Sequence, residues 1–276
     1  MVKGDNANEE KKQLDQLVSA VLKSPKYKNA SEDLIKHVGM RELLKEHRLK
    51  AAIKATKNKL HQIGGAYFLK KPKYSLWLEE LKEAKETGNE DSLRKICFKI
   101  MGYHYSTRER LKILDDFYKR IFAPLPPVQS IMDVACGYNP LSIPWMPISA
   151  EVKYYAYDVY KDMIDFISKF MAICNIQGHA EVRDVIQNTP QVNVDVAFVL
   201  NTIPCFEQIE KSAGMKVLES INSKFLVASF PVKSLCGREK SMRKHYENMF
   251  NKLTKEKSWT VQQLEFRSEL VFLITK

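Results

Sequence analysis

Three residues in the second half of the sequence have types and spacing suited to holding a nucleoside. Gly137 follows the apolar run 131–134, Asp158 closes the run YYAYD twenty-one residues later, and Asp184 closes EVRD. A glycine lets the backbone approach a ligand, and an acid about 20 residues further on can accept both ribose hydroxyl protons. The carboxylate of Asp184 can accept a hydrogen bond from the exocyclic amine of an adenine. Each acid alone could be a turn or helix cap, but the order of all three features predicts a nucleoside site.

The single glycine of this turn bears on which nucleoside cofactor is bound. A dinucleotide normally needs several glycines to bring its pyrophosphate against a helix N-terminus. S-Adenosylmethionine has no phosphate and needs no such loop, and only Gly137 is present here. The sequence therefore predicts S-adenosylmethionine rather than NAD.

The elements that must position these residues alternate between short apolar runs and helix-length stretches. Strands are predicted at 130–134, 154–157, 194–200 and 225–230, a weaker one at 180–183, and a closing antiparallel pair at 261–266 and 270–275. Such alternation predicts an α/β fold with a mostly parallel sheet covered on both faces, where ligands bind at the carboxyl ends of the strands.

The sequence before residue 104 is predicted to be helical and to form a separate domain, so that the division is 1–103 and 104–276. Apolar residues recur at helical spacing from Leu14 to Leu22, and further helices are predicted at 41–62, 75–86 and 90–101. Ser106 and Glu109 have the spacing of a capping box, which predicts a helix starting at Ser106.

Positive charge is concentrated in two stretches. The net charge is +11; residues 1–74 hold 17 Lys and Arg against 8 Asp and Glu, and residues 233–257 hold 8 against 3. Clustered cations attract a phosphate backbone, although a solvated basic surface has the same composition. The predicted RNA contacts are Lys23, Lys54, Lys57, Lys59, Lys233, Arg238, Lys240 and Arg243.

The remaining composition argues against several other classes of protein. The five cysteines are odd in number and include no CxxC pair, which favours neither a disulfide framework nor a zinc site. No apolar run approaches the roughly 20 residues that span a bilayer, and the N-terminus has no apolar signal core. We expect a cytoplasmic protein without a metal site or a membrane partner.

Several motifs are more specific than these patterns. They are KLHQI at 59–63 with GAY at 65–67, HYSTRER at 104–110, DVACGYNPL at 133–141, Tyr157-Asp158, residues 200–204, and SFPVKSL at 229–235 with Gly237 and Lys240. On these residues the chain resembles the aminoglycoside-resistance ribosomal RNA methyltransferases, which methylate N7 of guanine 1405 in 16S rRNA. The resemblance runs from about residue 14 to the C-terminus.

The resemblance implies a Rossmann-like class I methyltransferase domain after a helical, basic domain that docks on the assembled small ribosomal subunit. It implies that S-adenosylmethionine is converted to S-adenosyl-L-homocysteine, and that Arg110 pairs with the methionine carboxylate. The cofactor-binding residues it implies are Tyr67, His104, Ser106, Arg110, Ala135, Gly137, Asp158, Asp184, Val185, Leu200 and Gln208. A monomer is expected, because the RNA partner is large and rigid.

The sequence also departs from the family pattern. Asn201 stands near the expected methyl-transfer centre where the resistance enzymes carry Lys, and Arg243 stands where they carry Glu. Asn201 is therefore a tentative catalytic residue that brings hydrogen bonds but no charge. Tyr138, Trp145, Phe206 and Tyr246 are candidates for stacking on a flipped base, or are ordinary packing residues. Methylation of another RNA base and a non-catalytic ribosome-binding relative remain the alternatives.

Overall fold

The computed structural model describes residues 2–46, 48–232 and 242–276, and for residues 2–7 it describes the backbone alone. Within these residues, the chain before the first strand is mainly helical. The α-helices are α1 (Val2–Leu22), α2 (Glu32–Lys45), α3 (Leu49–Ile63), α4 (Tyr74–Glu86), α5 (Glu90–Met101), α6 (Tyr105–Arg110) and α7 (Leu114–Phe122).

A seven-stranded sheet follows in the order β3-β2-β1-β4-β5-β7-β6. The strands are β1 (Ser130–Val134), β2 (Lys153–Asp158), β3 (Gly178–Val182), β4 (Val194–Leu200), β5 (Ser223–Pro231), β6 (Thr260–Glu265) and β7 (Glu269–Thr275). The first five strands pair in parallel, and β7 pairs antiparallel with both β5 and β6. The predicted strands, the closing antiparallel pair and the α/β fold class are confirmed.

Both faces of the sheet are covered because its strands send alternate residues into two apolar layers. Ile131 and Phe198 pack in one layer with α7, α8 (Lys161–Ile173) and the earlier helices. Met132 and Val199 pack in the other layer with residues of α9 (Ile203–Ile209), α10 (Ala213–Ser220) and α11 (Met242–Thr254).

The early helices pack directly on the methyltransferase-like half of the chain. The Trp77 ring of α4 lies 5.9 Å from Tyr138, which follows β1, and 5.7 Å from Phe166 of α8. A second contact joins the start of α2 to the residue after β2, where the Ser31 N–H donates to the carbonyl of Val159 at 2.7 Å. The division into two domains at residue 103 stays a prediction.

Two predicted helix boundaries are wrong. The segment 41–62 is not one helix, because Glu46 has extended backbone (φ −107°, ψ 124°) between α2 and α3. The Ser106 capping box does not form: His104 is the N-cap residue of α6, and its side chain makes no capping hydrogen bond. The hydroxyl of Thr107 instead donates to the carbonyl of Met101 at 2.7 Å, which holds the turn without that box.

In the part of the chain that the structure describes, no helix is both long and apolar enough to cross a membrane.

Candidate active site

A cavity lies at the carboxyl ends of β1, β2 and β4. The strand order reverses there, because β1 has β2 on one side and β4 on the other. Connections leave a doubly wound sheet in opposite directions at this point, which opens a crevice for ligands. Nine of the predicted site residues line the cavity, namely Tyr67, His104, Ser106, Ala135, Asp158, Asp184, Val185, Leu200 and Asn201.

Asp158 ends β2 with both carboxylate oxygens held by backbone donors. The Gly137 N–H donates to Oδ2 at 3.0 Å, and the Val159 N–H donates to Oδ1 at 2.7 Å. Burial raises the pKa of this carboxyl, while the backbone donors oppose that rise. The Tyr160 N–H is a third backbone donor to this group. A carboxylate has about four acceptor sites, so Asp158 can still accept a hydrogen bond from a ligand hydroxyl.

The turn after β1 depends on Gly137. Its φ is +53°, and a Cβ at this position would lie 3.0 Å from Cε1 of His104. Gly137 itself does not line the cavity. The missing side chain therefore makes room for the His104 ring. A direct approach of Gly137 to the cofactor stays a prediction.

His104 belongs to a neutral wall of the cavity. Its ring stacks on Tyr67, with centroids 5.7 Å apart and planes 20° apart, and its Nδ1 lies 3.1 Å from the Ser106 hydroxyl. Burial, aided by the positive charge of Arg110, lowers the pKa of His104 to about 4. The imidazole is therefore uncharged near neutral pH.

Asn201 lies at the end of β4 in a strained backbone conformation. Its φ is +58°, in the left-handed region that residues other than glycine adopt less often. Ala135, which follows β1, has a similar φ of +52°. The Asn201 N–H donates to the Ser229 carbonyl at 3.0 Å, while its Oδ1 is buried without a hydrogen-bond partner among the described residues. A buried acceptor left unpaired can be satisfied by a donor from a ligand.

Asp184 is buried beside the cavity and is held from two sides. The Ile186 N–H donates to its Oδ1 at 3.1 Å, and Nδ1 of His37 lies 2.9 Å from its Oδ2. His37 belongs to α2, far from Asp184 in the sequence, and was not predicted as a site residue. No local motif marks it.

Sequence reasoning missed other lining residues as well. The early helices contribute Leu34, Ile63 and Gly64, and the chain after β4 contributes Thr202 and Cys205 among others. Position after a strand end could have indicated the last two. Leu34 carried no local signal, because its approach to the sheet is a matter of tertiary packing. Ile63 stands in the KLHQI motif, but that motif did not mark it as a cavity residue.

Only one of the four stacking candidates lines the cavity, and it is Phe206. The Tyr138 ring is buried near Trp77, and Tyr246 stacks on Phe230 at 5.0 Å. Trp145 lies under the guanidinium of Arg94, 5.7 Å away. Those three rings are packing residues in this structure.

Arg110 is not among the residues that line the cavity, and its contact with the methionine carboxylate stays a prediction. Its Nε and Nη2 donate to the two carboxylate oxygens of Glu269 at 2.8 and 3.1 Å. Its Nη1 donates to Oδ1 of Asn139 at 2.5 Å. Gln208 is exposed on α9 and also lies outside the lining.

Comparison with known proteins shows the family to which the chain belongs. A family model described as ribosomal RNA methyltransferase (FmrO) matches residues 23–273. A 16S rRNA (guanine(1405)-N(7))-methyltransferase from Micromonospora rosea is 33% identical over 265 residues, 95% of this chain and 97% of its own length. The corresponding enzyme from Micromonospora echinospora is 32% identical with the same coverage. The chain belongs to the FmrO family of ribosomal RNA methyltransferases.

Solved structures agree with the fold of this FmrO-family member. The 16S rRNA methyltransferase RmtF, in complex with S-adenosyl-L-homocysteine, has a TM-score of 0.81 and is 24% identical, covering 96% of this chain and 98% of its own. The 16S rRNA methylase RmtB has a TM-score of 0.76 at 23% identity, covering 95% and 98%. The predicted fold class and family are confirmed.

The predicted RNA-contacting residues differ in their exposure and in the partners they have within the protein. Lys23 and Lys54 are exposed, and Lys57 and Lys59 are partly exposed. Arg243 forms an ion pair with Glu265 and donates to the Phe266 carbonyl at 3.3 Å. Its guanidinium is thus engaged with Glu265 and the Phe266 carbonyl, and its contact with RNA stays a prediction. Lys233, Arg238 and Lys240 lie outside the described residues.

Proposed function

We propose that this chain is a 16S rRNA (guanine(1405)-N7)-methyltransferase that uses S-adenosylmethionine. Support comes from its relatives at 33% and 32% identity, which carry that name and match along nearly their whole length. We propose further that it acts as a cytoplasmic monomer on the assembled small ribosomal subunit. By the resemblance of its motifs, it should protect a bacterium against aminoglycosides.

The cavity fits the cofactor on an observation independent of the relatives. Asp158 and Asp184 present acceptors at neighbouring strand ends, and Asn201 leaves a buried Oδ1 that needs a donor. Asp158 would hold the ribose hydroxyls and Asp184 the adenine amine. The uncharged wall of Tyr67 and His104 adds no repulsion to a cationic ligand. Bound S-adenosylmethionine supplies an electrophilic methyl group.

The chemistry required of the side chains is orientation. Guanine N7 carries a lone pair and no proton, so the reaction needs no general base, and aligned reactants lower the barrier. Asn201 can hold the target base through its amide. Asp158 and Asp184 can orient the cofactor, because backbone donors and His37 restrain both carboxylates.

One observation favours a second candidate, methylation of another base by the same fold. Asn201 replaces the Lys that the family resemblance predicts at this end of β4, which removes a positive charge from the cavity. A neutral amide can accept as well as donate, so it could recognise a base with a different edge.

The deciding experiment is tritiated methyl transfer to purified bacterial small subunits, followed by mapping of the modified nucleotide by primer extension. Incorporation at N7 of guanine 1405 supports the proposal, and incorporation elsewhere supports the second candidate. Absence of incorporation, with S-adenosylhomocysteine still bound, would indicate a non-catalytic relative. An Asn201→Lys variant should methylate guanine 1405 faster if the lost charge limits the reaction. Raised tolerance to kanamycin and gentamicin tests the resistance role.

A further inference from the structure

Helix α2 reaches the cavity with two side chains one turn apart, Leu34 and His37. Leu34 lines the cavity directly, and His37 lies against Asp184. The His37 side chain is only 6% exposed. An imidazole enclosed in this way next to a cavity carboxylate is well placed to control the position of that carboxylate.

The hydrogen bonds of His37 determine which ring nitrogen carries the proton. The carboxylate of Asp184 can only accept, so Nδ1 of His37 carries a proton and donates to Oδ2 at 2.9 Å. Nε2 of the same ring lies 3.1 Å from the side-chain amide of Gln187. Glu210, 3.8 Å from Nε2, is beyond hydrogen-bond distance and pairs with Arg41 and Lys216.

The second oxygen of Asp184 is held by its own chain, because the Ile186 N–H donates to Oδ1 at 3.1 Å. One donor on each oxygen restrains the side chain to a single orientation. A carboxylate oxygen has two acceptor sites, so one site on each oxygen remains for a ligand. The pair of donors therefore orients Asp184 without using up its capacity to bind.

The start of α2 is itself tied to the site. Ser31, its N-cap residue, donates its N–H to the Val159 carbonyl at 2.7 Å, and the Lys161 N–H donates to the Asn29 carbonyl at 2.7 Å. Val159 follows Asp158 directly. The ribose-side carboxylate and the helix that carries His37 are thus parts of one hydrogen-bonded frame.

We propose that His37 is a positioning residue for adenine recognition. Its Nδ1–H holds Asp184 in the orientation in which that carboxylate accepts the exocyclic amine of the cofactor. This inference rests on the proposed function, since it requires an S-adenosyl cofactor. It assigns part of the specificity for adenine to a helix in the basic N-terminal half of the chain.

The test compares the binding of S-adenosylhomocysteine and S-inosylhomocysteine by calorimetry. Inosine carries an oxygen in place of the adenine amine, so an acceptor at Asp184 should reject it. We expect the full-length wild-type chain to prefer the adenosyl ligand by about tenfold or more, as for one hydrogen bond to a charged group. His37→Ala should lose most of that preference, and His37→Gln, which keeps a donor, should restore part of it.

Lys36→Ala is the matched control, because Lys36 is the exposed neighbour of His37 on α2; it should leave both affinities unchanged. A His37→Ala chain that binds both ligands with the wild-type preference overturns the inference and leaves the proposed function standing. A wild-type chain that binds neither ligand contradicts the proposed function itself.

A double-mutant cycle serves where His37→Ala fails to fold. Asp184→Asn should abolish the preference, and adding His37→Gln to it should change nothing further, since the two residues act as a unit. Additive losses from the two substitutions would overturn the inference.

Discussion

At the scale of single residues, the site depends on carboxylates held by fixed donors. Asp158 takes an N–H from Gly137 and another from Val159, at the point where β1 and β2 end side by side. Gly137 can donate in this direction because its φ of +53° suits a residue without a Cβ. A short turn thereby places a buried carboxylate in the wall of the cavity.

Replacing Asp158 by Ala should weaken S-adenosylhomocysteine binding. Hydrogen bonds to a charged acceptor contribute about 1.5–3 kcal/mol, which corresponds to roughly 10- to 150-fold in Kd. Calorimetry measures the change, with Asp165→Ala on α8 as the control because the Asp165 side chain is 63% exposed and forms a surface pair with Lys169. Equal affinity in both variants would remove Asp158 from the site.

The contributions of buried Asp133 and His104 to stability should depend on pH in opposite directions. Burial raises the pKa of Asp133 to about 6, so its contribution to stability is present at low pH and is lost as pH rises through 6. Burial lowers the pKa of His104 to about 4, so its contribution is present above pH 6.5 and is lost as pH falls through 4.

When one of the two groups is removed, the pH dependence of the unfolding free energy should follow the group that remains. Between pH 4 and 6.5, the free energy of unfolding of Asp133→Asn should rise with pH more steeply than that of the wild type. His104→Asn should show the reverse trend. Urea denaturation at several pH values measures both, and three parallel profiles would contradict the assignment.

At the scale of elements, the β6–β7 hairpin holds two glutamates in very different surroundings. Glu269 is fully buried, pairs with Arg110 and accepts a hydrogen bond from the Ser229 hydroxyl at 2.8 Å. Glu265 is 58% exposed and pairs with Arg243. The first pair joins the hairpin to α6 inside the protein, and the second lies at the surface.

Glu269→Ala should therefore cost about 3–5 kcal/mol of unfolding free energy, because it leaves the Arg110 charge buried without its partner. Glu265→Ala, four residues away in the same hairpin, should cost less than about 1 kcal/mol. Urea denaturation of the two variants compares them under one set of conditions. Similar losses would mean that Arg110 finds compensation elsewhere.

Helix α3 buries Ala52, Thr56 and Leu60, which places Lys54 and Lys57 together on another face. If this face contacts RNA phosphates, Lys54→Glu should weaken binding to the small subunit. The slope of log binding constant against log salt concentration should also fall by about one. Lys153→Glu is the control, since Lys153 is exposed at the start of β2, away from the cavity end of the sheet. Equal effects from the two changes would indicate a general charge effect.

At the scale of the whole molecule, the early helices and the sheet share one apolar layer. Trp77 of α4, Tyr138 after β1 and Phe166 of α8 pack edge to face there. Leu34 and Ile63 from the same helices line the cavity. A helical half that only docked on RNA would not need to contribute to the cofactor cavity.

The chain should consequently unfold in one transition. Tryptophan fluorescence and far-ultraviolet circular dichroism should give the same midpoint, and S-adenosylhomocysteine should raise both together, because a ligand of the native state stabilises the whole cooperative unit. Two separated transitions, with only the later one shifted by the ligand, would favour independent domains divided near residue 103.

The sequence by itself determined the strands, their alternation with helices and the acids at their ends. Short apolar runs and the turn residues between them are local signals. The topology of a parallel sheet then brings Asp158 and Asp184 to the same end of the sheet. The distinctive motifs likewise identified the family without reference to the structure.

Only the tertiary structure decided which side chains face the cavity. Arg110 turns to Glu269, 159 residues later, and His37 meets Asp184 across 147 residues. The unpaired Oδ1 of Asn201 is also visible only once its neighbours are in place. Spacing along the chain specifies the element on which a residue lies, whereas its partner depends on packing between elements that are distant in sequence.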